Sequence, residues 1–244
     1  MAARSVSLVS FIIPAHNEEA HLGATVEAVA GAAAALGIEH EVIVVDDAST
    51  DRTAEVARMR GARVESVNLR QISRVRNAGA RAARGDVLVF VDADTRVTPA
   101  VVRGAVEAIE RGAAGGGAVV RMDGRPGPLA WCVLKAWNVA ARLVRIAAGC
   151  FVFVRRGEFE AVGGFSEELF ASEEVELSAA LRRRAGRRRF VILRVPVVTS
   201  GRKLRTHTTM EILSPLCRYV LFGRRAMTRR EGLELWYERR GTGV

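Results

Sequence analysis

Apolar residues along this chain alternate between a strand rhythm and a helix rhythm. Residues 8–13 form a short apolar run closed by Pro14, the pattern of a buried strand leading into a loop. From Glu18 onward Leu22, Val26, Val29, Ala33 and Leu36 recur at three- and four-residue spacing, and Gly37 offers a stop. A helix with one apolar stripe is expected there. Residues 41–46 predict a second strand, 49–59 a short helix opened by the capping candidates Ser49, Thr50 and Asp51, and 63–67 a third strand. A helix over 73–84, closed by Gly85, precedes residues 87–91, whose aliphatics and Phe90 suit a strand covered on both faces. Thr98 and Pro99 supply an N-cap and a first-turn proline for a helix over 100–110. The glycine-rich residues 112–117 lack the Lys and Ser/Thr of a phosphate-binding P-loop and are expected to be a plain loop before a strand over 118–122.

The later chain is less regular. It offers an amphipathic stretch over 129–146, an apolar strand over 150–154, a helix over 172–184 and a strand-like segment over 190–198. Strands alternating with helices imply an α/β fold with a mostly parallel sheet flanked by helices on both faces, in which ligands sit at the carboxyl ends of the strands. With 244 residues the chain suits one domain, here 1–205, followed by a basic, partly amphipathic extension over 206–244.

Charge leaves the partner open. Lys plus Arg number 37 against 27 acids, giving +10, and 35 of those cations are arginines, a skew that resembles coding bias as much as a binding surface. Anionic partners are favoured, but no nucleic-acid motif accompanies the arginines, so no specific nucleic acid is expected. Cys132, Cys150 and Cys217 are odd in number and far apart, which supports neither a disulfide framework nor a zinc site and fits a reducing compartment. Lys135, Arg142 and Arg145 interrupt the longest apolar stretch, residues 131–154. The expectation is a soluble or peripheral protein, in the cytoplasm or at the inner face of the membrane. In the extension, Ile212, Leu213, Leu216, Tyr219, Val220, Leu221 and Phe222 interleave with Arg218, Arg224 and Arg225, a pattern open to membrane contact or to docking on the domain.

The acidic residues are grouped. Asp46 and Asp47 end one strand and Asp92 and Asp94 end another, so a parallel sheet brings both pairs to one edge. Carboxylates two apart can hold a hard divalent cation that grips a diphosphate, although Asp at a strand end also begins turns and caps helices. Four segments then occur in order at strand ends and the helix between them: Pro14-Ala15-His16-Asn17-Glu18, Asp46-Asp47-Ala48-Ser49-Thr50-Asp51, Arg76-Asn77-Ala78-Gly79 and Asp92-Ala93-Asp94. With residues 149–156, Gly163-Gly164-Phe165 and Ser172-Glu173-Glu174-Val175-Glu176, the set resembles a family 2 glycosyltransferase of the GT-A fold, a single nucleotide-diphospho-sugar transferase domain.

The resemblance implies roles residue by residue. Pro14, Ala15, Asn17, Glu18 and Asp47 would hold the nucleotide's base and ribose, and a carboxylate can accept from an imide N–H and from ribose hydroxyls. Arg76 would lie near the nucleotide phosphates, Asp92 and Ala93 near the ribose, and Gly149 at the sugar or acceptor pocket. Asp94, with Asp92, would ligate Mn2+ or Mg2+, and His207 would complete the metal shell. Arg202, Lys203 and Arg205 would close over the diphosphate. Glu174 would be the base that takes the acceptor's proton, with Glu173 its neighbour; the family's Glu-Asp pair is Glu-Glu here. The alternative for Ser172 and these glutamates is helix capping and dipole complementation. Trp131 and Trp137 would stack on a sugar or lipid acceptor, or belong to the core. No Gln-x-x-Arg-Trp motif follows the base, which implies transfer of a single sugar. The expected partners are a UDP- or GDP-sugar donor and a hydroxyl acceptor, lipid-linked or small. A nucleotidyltransferase and a catalytically silent nucleotide-binding protein remain the alternatives.

Overall fold

The computed structural model describes residues 6–124, 127–201 and 227–228. The first half alternates as expected: β1 (Val9–Ala15), α1 (Glu19–Ala34), β2 (His40–Asp47), α2 (Thr53–Met59), β3 (Arg63–Val67), α3 (Ile72–Ala82) and β4 (Val87–Val91). The second half contains β5 (Thr95–Arg96), α4 (Pro99–Glu110), β6 (Gly115–Met122), α5 (Pro128–Val144), β7 (Phe151–Arg155), α6 (Arg156–Ala161), α7 (Glu173–Ala185) and β8 (Phe190–Thr199). The short β5 and α6 have no sequence signal.

All eight strands join one sheet in the order β3-β2-β1-β4-β7-β6-β8-β5. β3, β2, β1 and β4 are mutually parallel, as are β6 and β8, whereas β7 is antiparallel to both β4 and β6, and β5 to β8. Strand alternation divides the core between the two faces. Phe11, Ile13, Val42, Val44, Val87 and Val89 pack against α1 and α4, while Ile12, Ile43, Val45, Leu88 and Phe90 pack against α3, α6 and α7. This two-sided burial is why the strands are almost uninterrupted apolar runs.

Three boundaries differ from expectation for local physical reasons. β1 continues through Pro14 to Ala15 paired with β2 alone, because its pairing with β4 ends at Ile12, and proline is tolerated where a strand has become an edge. α2 starts at Thr53 because the preceding polar residues are engaged elsewhere: Ser49 Oγ accepts from the Asn17 amide at 2.8 Å, and the Thr50 amide donates to Asn17 Oδ1 at 2.7 Å. Gly115, Gly116 and Gly117 are strand rather than loop, which corrects the expectation for 112–117. A Cβ at Gly116 would lie 1.9 Å from the Val191 carbonyl oxygen, and one at Gly117 would lie 2.7 Å from Ala147 Cβ. The glycines let β6 pass between crowded neighbours.

Parallel pairing places the ends of β1, β2 and β4 on one edge of the sheet. β7 enters from that edge with Phe151 opposite Val91, so Gly149 and Cys150 lie there too. α3 lies flush on β1 and β2: a Cβ at Gly79 would meet Ile12 Cγ2 at 2.3 Å and Val45 Cγ2 at 2.8 Å. Beyond α7, Met227 is fully buried against Leu169 and Ala171, and its carbonyl accepts the Phe170 amide at 2.8 Å. At that point the extension docks on the domain. No helix among the described residues is long and apolar enough to cross a membrane.

Gly79→Ala is expected to lower stability by about 1–3 kcal/mol through overpacking. Gly31→Ala, at a helical position where a Cβ meets nothing within 4 Å, is expected to raise stability by ~0.5–1 kcal/mol. Urea unfolding of both variants checks the contrast.

Candidate active site

Three loops at the carboxyl edge are tied to one another. His16 Nδ1 is 2.8 Å from the Asp47 carbonyl oxygen, and the Glu18 amide donates to Thr53 Oγ1 at 2.7 Å. Asp47 accepts from the Leu69 amide at 2.6 Å and from the Arg70 amide at 2.8 Å, which draws the loop after β3 against the end of β2. Asn17, Ala48 and Arg70 all have positive φ, the sharp turns this collar requires. The segment of Pro14, Ala15, Asn17 and Glu18 is thus brought beside Asp47. Asp46 and Asp47 lie on opposite faces of β2, and among the described residues no donor reaches the buried Asp46 Oδ1. The resemblance gave Asp47 a role and its neighbour none.

Arg76 is the centre of a second cluster. Its side chain is 3% exposed and ion-paired to Glu173, and Nη2 donates to Asp92 Oδ1 at 2.8 Å and to the Gly149 carbonyl at 2.9 Å. The guanidinium carbon also stands 5.4 Å from the Phe165 ring centroid. Opposed charges strengthen the guanidinium's hold on its proton despite the burial that works against it. One cation therefore joins the end of β4, the turn before β7 and the start of α7.

Asn77 grips the next segment in both directions. Its Nδ2 donates to the Phe165 carbonyl at 2.9 Å and its Oδ1 accepts the Phe165 amide at 3.0 Å. Gln71 adds bonds to the carbonyls of Glu167 and Leu169 at 2.7 and 2.8 Å. Gln71 carries no motif signal, and only the fold reveals its part in holding the approach to α7.

Glu173 is buried against Arg76, and Glu174 is partly open to solvent. Burial, reinforced by the Glu173 charge and opposed by Arg76, pushes the Glu174 carboxyl up to about 8. Ser172 has a left-handed backbone and its side chain makes no cap hydrogen bond, so capping does not explain the segment. Gly149 lies between these groups: a Cβ there would stand 3.4 Å from Arg76 Nη2 and 3.6 Å from Glu174 Cδ. The Cys150 thiol is pushed far up by burial and by Asp92 and Asp94, which keeps it protonated and not nucleophilic.

Asp92, Ala93 and Asp94 follow β4 directly. Asp94 Oδ1 accepts from Thr199 Oγ1 at 3.3 Å, which relates it to the end of β8, while Ala93 is buried and its carbonyl accepts from Thr25 Oγ1. Among the described residues no group of three or more His, Cys, Asp or Glu side chains could hold a metal alone. Arg202, Lys203, Arg205 and His207 lie outside the described residues, as does the boundary at 205/206. Trp131 is 48% exposed, with the Lys135 ammonium 3.8 Å from its ring centroid, and Trp137 is half-buried; neither is a core residue.

A curled α/β sheet with paired acids and a glutamate-bearing helix on one edge defines a GT-A architecture. Residues 10–159 match the model of Glycosyl transferase family 2, and the chain belongs to that family. Over 117 residues, 45% of this chain and 36% of the relative, it is 32% identical to an undecaprenyl-phosphate 4-deoxy-4-formamido-L-arabinose transferase of Edwardsiella ictaluri. Over 109 residues, 43% of this chain and 30% of the relative, it is 35% identical to a dolichol-phosphate mannosyltransferase of Pyrococcus furiosus. The match thus spans about a third of the length of these curated relatives. The fold is shared with glucosyl-3-phosphoglycerate synthase from Mycobacterium tuberculosis, crystallised with Mn2+, UDP and glucosyl-3-phosphoglycerate. The TM-score is 0.65 at 22% identity, covering 97% of this chain and 82% of that one.

Arg76→Ala strands Glu173 and Asp92 without their cation and is expected to cost about 3–5 kcal/mol, measured by urea unfolding. Glu174→Gln is expected to stabilise the fold in a pH-dependent way. Because the folded pKa lies above the ordinary 4.5, folding takes up a proton, and this favourable contribution is lost as pH rises towards about 8. The advantage of the Gln variant in Tm should therefore be absent below 4.5, grow up to about 8 and stay constant above it.

Proposed function

We propose that this chain is a metal-dependent, inverting glycosyltransferase that moves a single sugar from a UDP- or GDP-sugar to a hydroxyl acceptor, small or lipid-linked. Residues 1–205 form the catalytic domain and 206–244 its extension. The observation that supports this reading is the Arg76 bridge, which ties Asp92 to Glu173 and so keeps Glu174 beside the acidic strand end. A carboxyl raised to about 8 suits proton removal from a hydroxyl near neutral pH. The acceptor oxygen bonds to the anomeric carbon as the bond to the diphosphate breaks, and its proton passes to Glu174. One such displacement inverts the anomeric centre.

Pro14, Ala15, Asn17, Glu18 and Asp47 line the base and ribose site, with Asp92 and Ala93 near the ribose. Asp47 keeps acceptor capacity beyond its two amide partners, since an ionised carboxylate offers about four lone-pair sites. Arg76 serves here to position the acids, because its guanidinium already faces Asp92, Glu173 and Gly149. The phosphates fall to Arg202 and its neighbouring cations. Asp94 and Asp92 offer oxygen donors suited to Mn2+ or Mg2+, and His207 is a further candidate ligand. When bound, the ion neutralises charge on the leaving diphosphate.

The relatives' names introduce a second reading, in which a polyprenyl phosphate is the acceptor. A phosphate oxygen is already an anion and needs no base. Sugar transfer measured with and without EDTA separates the two. For a hydroxyl acceptor, EDTA and Asp94→Ala abolish turnover, and Glu174→Gln lowers it by ~10²–10⁴-fold. Loss with EDTA and Asp94→Ala but not with Glu174→Gln establishes the phosphate acceptor. Full activity in both variants overturns the site.

A further inference from the structure

The outward stripe of α5 is the wrong polarity for water. Leu129, Cys132, Ala136, Val139 and Leu143 follow one another at three- and four-residue spacing with Ala140 beside them, and all are exposed, Leu143 to 65%. Only Ala141 of this helix is buried. Inward, the helix is held by Leu134 packing on the core and by Asn138, which bonds both the amide and the carbonyl of Val120 at 2.9 and 2.8 Å. An amphipathic surface helix normally turns its apolar stripe to the core. Here an apolar stripe also faces outward, and Trp131 and Val144 add exposed apolar surface near the two ends of the helix.

The surroundings of that stripe are cationic. Residues 124–157 contain no Asp or Glu. An open groove of about 410 Å³ beside α5 is lined by Val139 and Leu143 together with Arg142, Arg145, Arg188 and Arg194. Arg145 is fixed by bonds to the carbonyls of Arg187, Arg188 and Phe190, so the collar is built into the fold. Lys135 stands over Trp131 at the other end.

We propose that α5 and its arginine collar form a docking surface for an anionic lipid bilayer, with the apolar stripe entering the interface and the guanidinium groups facing the headgroups. Helices that lie in a membrane interface combine Trp and Leu on one side with Lys and Arg on the flanks. Charge complementarity selects the bilayer among possible occupants. The chain after Gly201 carries ten cations against four acids and would be repelled by the collar, and a second copy would set arginine against arginine. A nucleic acid would match the charge but not the stripe. The stripe runs along the helix that leads into Gly149, so the bilayer would lie alongside the candidate site. The inference does not depend on which reaction that site performs.

The test is flotation of the full chain with vesicles of phosphatidylcholine alone or mixed equally with phosphatidylglycerol. Binding is expected only to the mixed vesicles and weakens with salt. Arg142→Glu with Arg188→Glu is expected to weaken it roughly thirtyfold, about one kcal/mol for each basic residue removed from the surface, and Val139→Ser with Leu143→Ser to abolish it. These residues are exposed, and unchanged Tm shows that the variants fold. In a Trp137→Phe, Trp236→Phe protein Trp131 is the sole tryptophan, and its emission should shift to the blue and be quenched by brominated lipid. The proposal is overturned by equal binding to neutral vesicles, by no binding to either, or by duplex DNA displacing the mixed vesicles from the α5 face. It is also overturned if Arg224→Glu with Arg225→Glu abolishes binding while the α5 variants retain it. A lipid-free dimer that the α5 variants dissociate would assign the face to a second copy instead.

Discussion

A guanidinium removed from water must keep its partners, and Arg76 has three that come from distant parts of the chain. Asp92 follows β4, the Gly149 carbonyl precedes β7, and Glu173 begins α7. Desolvating these charges is costly, and the attraction among them offsets that cost only while all are in place. The geometry of the carboxyl edge is therefore fixed jointly. Neither Asp92 nor Glu173 can shift without unpairing a buried ion.

The same dependence gives physical meaning to the short Arg-Asn-Ala-Gly segment of α3. Arg76 holds the acids, Asn77 holds the backbone of Phe165 in both directions, and Gly79 lets the helix approach β1 and β2 closely enough for both to reach. Three of four consecutive residues thus set the height and orientation of a helix and anchor the segment that leads into Glu173 and Glu174. The Glu174 carboxyl inherits its raised pKa from this placement, through burial and the adjoining Glu173 charge.

Much of the frame was legible in the sequence because it rests on local pattern. The runs that became β1, β2 and β4 declare themselves, and parallel pairing alone gathers Asp47, Asp92 and Asp94 at one edge. Contacts across long separations were not legible. Arg76 and Glu173 lie 97 positions apart, and nothing in either neighbourhood announces that the arginine faces acids and not a phosphate. Gly115, Gly116 and Gly117 read as a plain loop because the crowding that demands them comes from Val191, Phe153 and Ala147. Periodicity likewise revealed an amphipathic stretch at α5 without saying that apolar side chains would face outward as well as in. Residues past 201 had candidate roles from resemblance, and most lie outside the described structure.

Met227 gives the extension a mechanical hold on the domain. Its side chain fills the space beside Leu169 and Ala171, and its carbonyl receives the amide of Phe170, three residues before Glu173. A chain shortened ahead of residue 227 would lose both the plug and the acceptor at the approach to α7. Trimming the C-terminus to obtain a tidier domain is, for this protein, equivalent to mutating the loop that presents its glutamates.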